Sequence, residues 1–181
     1  MTRHKQQVIL TVALVAMTRI TLFSQSASPR DLLARFWELD GRGAQLFPER
    51  GRNVSEFFVA SRAPRHNGIT IIRDLVVGPP AFMRTGFQFY VEYTELGRID
   101  LSKMRLSSSP QMMVRKRFEI VDLRAESGSP EPDWRINGVI PEPHVTVETA
   151  IRYIDGIRRK ATDDFSRDRA TKLITALERM R

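Results

Sequence analysis

The chain has 181 residues, of which 41% are hydrophobic, and a formal net charge of +8 at pH 7. This length suits one domain with a real core and is too short for two ordinary domains. Because the chain contains no cysteine, it has no disulfide, no thiol nucleophile, no thiolate zinc site and no iron–sulfur cluster.

Residues 1–27 have the composition of a secretory signal peptide. Three residues, Arg3, His4 and Lys5, precede the uncharged stretch VILTVALVAM, and the small polar residues SQSAS follow. The alternative is a membrane anchor, but the apolar stretch stops before Arg19 and is shorter than the about 20 residues of a membrane span. We therefore predict export to the periplasm or the cell exterior, with cleavage beside Ala27.

Export narrows the possible partners of the mature chain. Cleavage after residue 27 removes three basic residues and no acid, so the net charge falls from +8 to +5. A basic protein outside the cytoplasm has no access to nucleic acid, and we expect no such partner. An anionic component of the cell envelope is the better candidate for an electrostatic partner.

Two helices are predicted at the start of the mature chain. Ser28 is a suitable N-cap, Pro29 suits the first helical position, and the stretch DGRG at 40–43 ends the helix. Its apolar residues share one side at helical spacing: Leu32, Leu33, Phe36, Trp37 and Leu39. A shorter helix is predicted over 53–60, with Val54, Phe57 and Phe58 inward.

The middle of the chain has the pattern of antiparallel strands. Residues 69–77 are rich in β-branched side chains, and residues 85–94 alternate cleanly, with Phe87, Phe89, Val91 and Tyr93 on one face. We predict a turn over 97–100, a further strand over 113–123 and a short one over 134–136.

Helical spacing returns after Pro141-Glu142-Pro143. One apolar stripe includes Val147, Ala150, Ile151 and Ile154, and a second includes Ala170, Leu173 and Leu177. The order of elements predicts an α+β fold, in which N-terminal helices pack in a curved antiparallel sheet like a cone and two C-terminal helices follow. We assign the α+β domain to residues 28–140 and a helical extension on the same domain to residues 141–181.

This order, together with four segments, resembles the nuclear transport factor 2-like superfamily. The segments LDGRGAQLFPERGRNVSEFFV, YVEYTELGRID, DWRING and PEPHVTVETAIRYI resemble exported, mostly uncharacterised bacterial members, over roughly residues 30–140. The resemblance implies a bent sheet wrapped around a long N-terminal helix. Enzymes of this fold often use an Asp–His pair inside the cone, but no predicted strand carries a histidine, so the resemblance transfers no catalytic residue.

The residues themselves give no catalytic or metal-binding motif. After export only His66 and His144 remain, and both are predicted to be surface loop residues. Asp74 and Glu92 could meet across the sheet as an acid or base, but Glu92 lies on the polar face of its strand. We expect no metal and no cofactor.

Two groups of residues are candidates for binding. Trp37, Tyr93 and Trp134 could line an apolar pocket in the cone, for which core packing is the alternative. The glycine-flanked loop arginines, Arg50 and Arg52 above all, could bind an anion, for which a solvated basic surface is the alternative.

The sequence therefore predicts an exported, non-enzymatic binding or interaction module for a small apolar ligand or an anionic envelope component. The alternative is a cofactor-independent isomerase, hydratase or hydrolase that uses carboxylate or tyrosine chemistry. A homo-oligomer formed through the exposed sheet face is a further possibility.

Overall fold

The computed structural model of the protein describes residues 28–47, 53–60, 66–128 and 130–181. Within these residues the chain is α+β: a curled half-barrel sheet is combined with three main helices, of which two are at the C-terminus. The predicted signal peptide and the predicted anion-binding residues Arg50 and Arg52 lie outside the described residues.

The first helix, α1, spans Pro29–Gly41 and begins as the sequence predicts. Ser28 is its N-cap, and the Ser28 side chain accepts a hydrogen bond of 3.2 Å from the Asp31 N–H. After the helix, Gly43 adopts a φ of +84°, a conformation that favours glycine. A short 3₁₀ helix, Val54–Phe57, follows, and it buries Val54 and Phe57 as expected.

Among the described residues, six strands form one sheet. They are β1 (Gly68–Val77), β2 (Ala81–Met83), β3 (Gly86–Asp100), β4 (Arg105–Asp122), β5 (Trp134–Asn137) and β6 (His144–Val145). The main order is β5-β4-β3-β1-β6, and β2 pairs with β3. Neighbours are antiparallel except β1 and β6, which are parallel.

The turn predicted over 97–100 is wrong, because β3 continues through it to Asp100. Gly97 pairs with Ser108, and a Cβ at Gly97 would lie 2.6 Å from the Ser107 carbonyl oxygen. Glycine therefore serves a close approach between strands here. The chain turns at residues 101–104 instead, with Met104 at a φ of +47°.

Three helices follow β4: a short α2 (Arg124–Ser127), then α3 (Val147–Lys160) and α4 (Asp164–Glu178). Thr146 and Asp163 cap α3 and α4 through their side chains. Among the described residues, no helix has both the length and the apolar character that crossing a membrane requires.

The sheet borders two separate hydrophobic cores. One contains α1, Ile72 and the inward residues of β3, and the other contains Ile69, Ile71, Val145 and the apolar stripes of α3 and α4. Because side chains alternate along a strand, Ile71 and Ile72 project to opposite faces and belong to different cores. The concave face around α1 carries the candidate site.

Candidate functional site

The C-terminal half of α1 places two side chains of the site. Trp37 and Asp40 are three residues apart and therefore share one face of the helix, which also buries Leu33 and Phe36. Both residues are almost fully enclosed, with Trp37 at 2% and Asp40 at 0% exposure. A carboxyl group on the apolar face of a helix requires polar partners from elsewhere in the fold.

Asp40 finds these partners in two distant segments. Its Oδ2 accepts a hydrogen bond of 2.9 Å from the backbone N–H of His144, and its Oδ1 accepts one of 2.8 Å from Gln45 Nε2. Burial raises the pKa of Asp40 from 3.8 to about 7, although both hydrogen bonds and the charge of Lys116 oppose the shift. The carboxyl group therefore titrates near neutral pH.

His144 lies on β6 and is completely buried. Its Nδ1 is 2.6 Å from the Glu142 carbonyl oxygen, which can only accept, so Nδ1 carries the proton. Burial, together with the charge of Lys116, lowers the pKa of His144 from 6.5 to about 4. The imidazole is neutral at pH 7, and its Nδ1, 3.8 Å from Asp40 Oδ2, forms no ion pair with it.

The free Nε2 of His144 faces two donors. The Tyr93 hydroxyl is 3.2 Å away and Lys116 Nζ is 3.0 Å away. A neutral imidazole nitrogen has one lone pair, so the two donors share or alternate on it. Burial raises the pKa of Tyr93 and lowers that of Lys116. We call Asp40, Tyr93, Lys116 and His144 the polar cluster.

Two further residues contact His144 of the polar cluster: Trp37 through its ring and Glu142 through its backbone carbonyl. The ring of Trp37 packs edge-on against His144, with 5.1 Å between centroids, and its Nε1 is buried with no hydrogen-bond partner among the described residues. Glu142 accepts hydrogen bonds of 2.7 Å from Arg98 Nη2 and 2.6 Å from the Thr70 hydroxyl. Although burial opposes it, these bonds hold the pKa of Glu142 below its usual value.

An open cleft of about 750 Å³ lies between α1 and β1. Residues 72–77 of β1 form one wall, and Thr146 and Thr149 line one end. The other wall is α1 with its C-cap Arg42, and the helix contributes Arg30, Asp31, Ala34, Trp37, Glu38 and Gly41. The volume is typical of clefts that bind small molecules or short segments.

Charged side chains surround the cleft but are satisfied within the protein. Arg42 pairs with Glu38 at 2.8 Å, and Arg73 pairs with Asp74 at 3.2 Å. Arg30 Nη2 donates to the Val77 carbonyl at 3.2 Å. The lining contains as many arginines as acids, so the cleft has no excess charge with which to attract an ion.

The predicted pocket residues have different surroundings. Trp37 and Tyr93 are in contact, with 5.9 Å between ring centroids, but only Trp37 lines the cleft. Trp134 packs edge-on against Phe87 at 5.4 Å. The predicted acids form surface ion pairs, Asp74 with Arg73 and Glu92 with Arg115.

The prediction that His144 is a surface loop residue is wrong. Parallel pairing with Thr70 makes it part of the sheet, and the ring is enclosed by Trp37 and Tyr93. Asp40 and Lys116 were not singled out from the sequence. One signal for Asp40 was present: it follows Leu33 and Trp37 at helical spacing, on the face that the apolar stripe predicts to be buried.

The described residues hold no group of three or more histidine, aspartate or glutamate side chains suited to a metal ion. Comparison of the chain with models of known protein families gives no match. Comparisons with curated proteins and with solved structures give no significant match either.

Proposed function

We propose that the chain is an exported, non-enzymatic binding module whose ligand site is the cleft between α1 and β1. The cleft itself carries the proposal: it is open, has a suitable volume and presents the apolar side chains of Ala34, Leu75, Val76 and Val77 to a ligand. Because the lining contains as many arginines as acids, the ligand that fits best is uncharged and largely apolar.

The position of the acid–base groups favours binding over catalysis. A general acid or base must come within hydrogen-bond distance of the substrate. Asp40 and His144 are both 0% exposed, and neither lines the cleft. The polar cluster therefore serves to join α1, β6 and the sheet. A curled sheet that packs against one face of an N-terminal helix is the feature that supports the proposed kinship with the nuclear transport factor 2-like superfamily.

Titration with Nile red, a neutral apolar dye, tests this proposal. Ala34 is exposed and lines the cleft, so Ala34→Trp fills the site without disturbing the core. Arg35 is exposed on the same helix but does not line the cleft, so Arg35→Trp is the matched control. We expect saturable binding that weakens by about tenfold or more in Ala34→Trp, equivalent to losing about one buried side-chain contact, and is unchanged in Arg35→Trp. An affinity for Nile red that is the same in wild type and in both variants contradicts the proposal.

The second candidate is a cofactor-independent isomerase, hydratase or hydrolase. The observation in its favour is the polar cluster, where two groups with shifted pKa values lie beside Lys116, which is only partly buried. Substrate would have to reach His144 from the side of Lys116. Turnover of an ester or epoxide panel that disappears in a folded His144→Gln variant would establish this activity in place of simple binding.

A further inference from the structure

One wall of the cleft is the edge of a strand. Six consecutive residues of β1, 72–77, line the cleft. Because successive side chains of a strand project to opposite faces, the face of a strand would contribute every second residue only. A bulge at Asp74 accounts for part of this run, and the strand order accounts for the rest: past Ile71 the described residues place no strand beside β1 on the side opposite β3, so its edge, with backbone N–H and C=O groups, borders the cleft.

The neighbouring strand covers only the first part of this edge. β6 pairs with β1 at Thr70 and Ile71, and the Thr70 N–H donates to the Pro143 carbonyl at 2.9 Å. Past Ile71, no strand among the described residues pairs with β1 on this side. The chain then leaves β6 through Thr146, which lines the end of the cleft. The cleft therefore continues the line of β6 along β1.

The hydrogen bonds at the end of β1 show the direction of its backbone groups. The Val77 carbonyl accepts from Arg30 Nη2 on α1, across the cleft, at 3.2 Å. The next residue, Gly78, donates its N–H to the Tyr90 carbonyl of β3 at 2.8 Å. In a strand the N–H and C=O of one residue point to the same side, and this side alternates. Val77 thus directs both groups towards the cleft.

The two walls match in length. Six strand residues extend for about 20 Å at about 3.3 Å per residue, and the 13 residues of α1 extend for about 20 Å at 1.5 Å per residue. A bulge interrupts the β1–β3 ladder between Arg73 and Val76, where Asp74 has a φ of +55°. Such a bulge on an edge limits indiscriminate strand pairing, so regular pairing with a partner strand is expected on either side of it, at Ile72 and at Val76–Val77.

We propose that the cleft receives an extended polypeptide segment of a partner protein, which adds as a strand to β1 where β6 stops. The backbone of the segment pairs with the edge of β1, and its side chains contact the exposed apolar groups of the cleft, Ala34 and Val76. The segment is largely apolar and uncharged, because the cleft lining has as many arginines as acids and so no excess of either sign. This inference rests on the proposed function and specifies the class of its ligand.

Selection from a phage library of random nonapeptides on the full chain tests the inference. The best peptide is synthesised, and each backbone nitrogen in turn is methylated. Because a strand pairs with its neighbour through alternate residues only, we expect about tenfold weaker binding at every second position and little change between them. An effect without this alternation overturns strand addition.

Substitution of Val77 gives a second, independent readout. Val77→Pro removes the N–H that faces the cleft and leaves the bond of Gly78 to β3, whereas Val77→Ala removes only the side chain. We expect peptide binding to weaken in Val77→Pro by about tenfold relative to Val77→Ala, as for the loss of a backbone pairing, and urea unfolding checks that both variants are folded. Equal peptide binding to the two variants contradicts the inference.

The combined results separate the two proposals. Strand addition is wrong if Ala34→Trp weakens the binding of Nile red but no peptide is selected, or if the selected peptides bind wild type and Ala34→Trp equally. In that case the cleft binds a small apolar molecule. If neither probe responds to Ala34→Trp, both proposals fail.

Discussion

Replacement of Asp40 by asparagine should make the fold more stable at pH 8. The folded-state pKa of Asp40, about 7, lies above its ordinary value of 3.8, so this group contributes stability at low pH that is lost as the pH rises towards 7. At pH 8 the carboxyl group is ionised in both the folded and the unfolded state. The pKa difference then lowers the free energy of unfolding by about 4 kcal/mol, at about 1.4 kcal/mol per pKa unit.

The substitution removes this penalty at the expense of one hydrogen bond. In the Asp40→Asn variant the amide oxygen can still accept from the His144 N–H, but the amide nitrogen would face Gln45 Nε2, which also donates to the Pro141 carbonyl. Losing that bond costs about 1 kcal/mol. We therefore expect a free energy of unfolding about 3 kcal/mol higher than wild type at pH 8, and a difference of less than about 1 kcal/mol at pH 5.

His144 gives the experiment a second signature. Its folded-state pKa, about 4, lies below its ordinary value of 6.5, so its contribution to stability is present above pH 6.5 and is lost as the pH falls towards 4. In the wild type the Asp40 and His144 contributions nearly cancel between pH 5 and pH 8. In Asp40→Asn only the histidine contribution remains, so stability should rise by about 2 kcal/mol over this range.

Urea unfolding followed by tryptophan fluorescence at pH 5, 6, 7 and 8 measures both effects. Asp168→Asn is the matched control, because Asp168 is exposed and paired with Lys172 on the surface of α4. It should leave the pH profile unchanged. A variant Asp40→Asn that is less stable than wild type at pH 8, with an unaltered pH profile, refutes the reasoning that burial of the carboxylate is the dominant effect.

Three further outcomes are expected. Truncation after Lys160 removes α4 and the burial of Leu173 and Leu177, worth about 1.5–3 kcal/mol each, so the truncated chain should aggregate or melt far below wild type in a thermal scan. Gly97→Ala should lower the free energy of unfolding by at least about 1 kcal/mol, since the new Cβ would lie 2.6 Å from the Ser107 carbonyl oxygen. N-terminal sequencing of protein from the cell envelope should begin within a residue or two of Ser28, and recovery of the intact N-terminus in membranes would favour an anchor.

Local sequence patterns predicted the longer elements well. The alternation of Phe87, Phe89, Val91 and Tyr93 defines the centre of β3, and the Ser28 cap defines the start of α1. The first half of β4 was missed because Ser107, Ser108 and Ser109 before Pro110 lack an apolar alternation. β6 has two residues and is too short to show any period.

The polar cluster depends on contacts that no local pattern encodes. The bond between Asp40 and the His144 backbone joins residues separated by 104 positions, and Lys116 comes from a third segment. Viewed locally, Asp40 ends a helix and His144 follows a proline, and both descriptions are typical of exposed residues. Burial of such groups becomes visible only when the partners from α1, β4 and β6 are brought together.

The two adjacent residues of strand β6 contact different hydrophobic cores. His144 contacts the core around α1, and the adjacent Val145 belongs to the core beneath α3 and α4. Strands β1 and β3 also contribute residues to both cores, so the chain should unfold as one cooperative unit with coincident transitions by different probes. Insertion of a single residue between 140 and 144 should exchange the faces of His144 and Val145. The valine would then lie among the polar groups, and the histidine would lie in the hydrophobic core beneath α3 and α4.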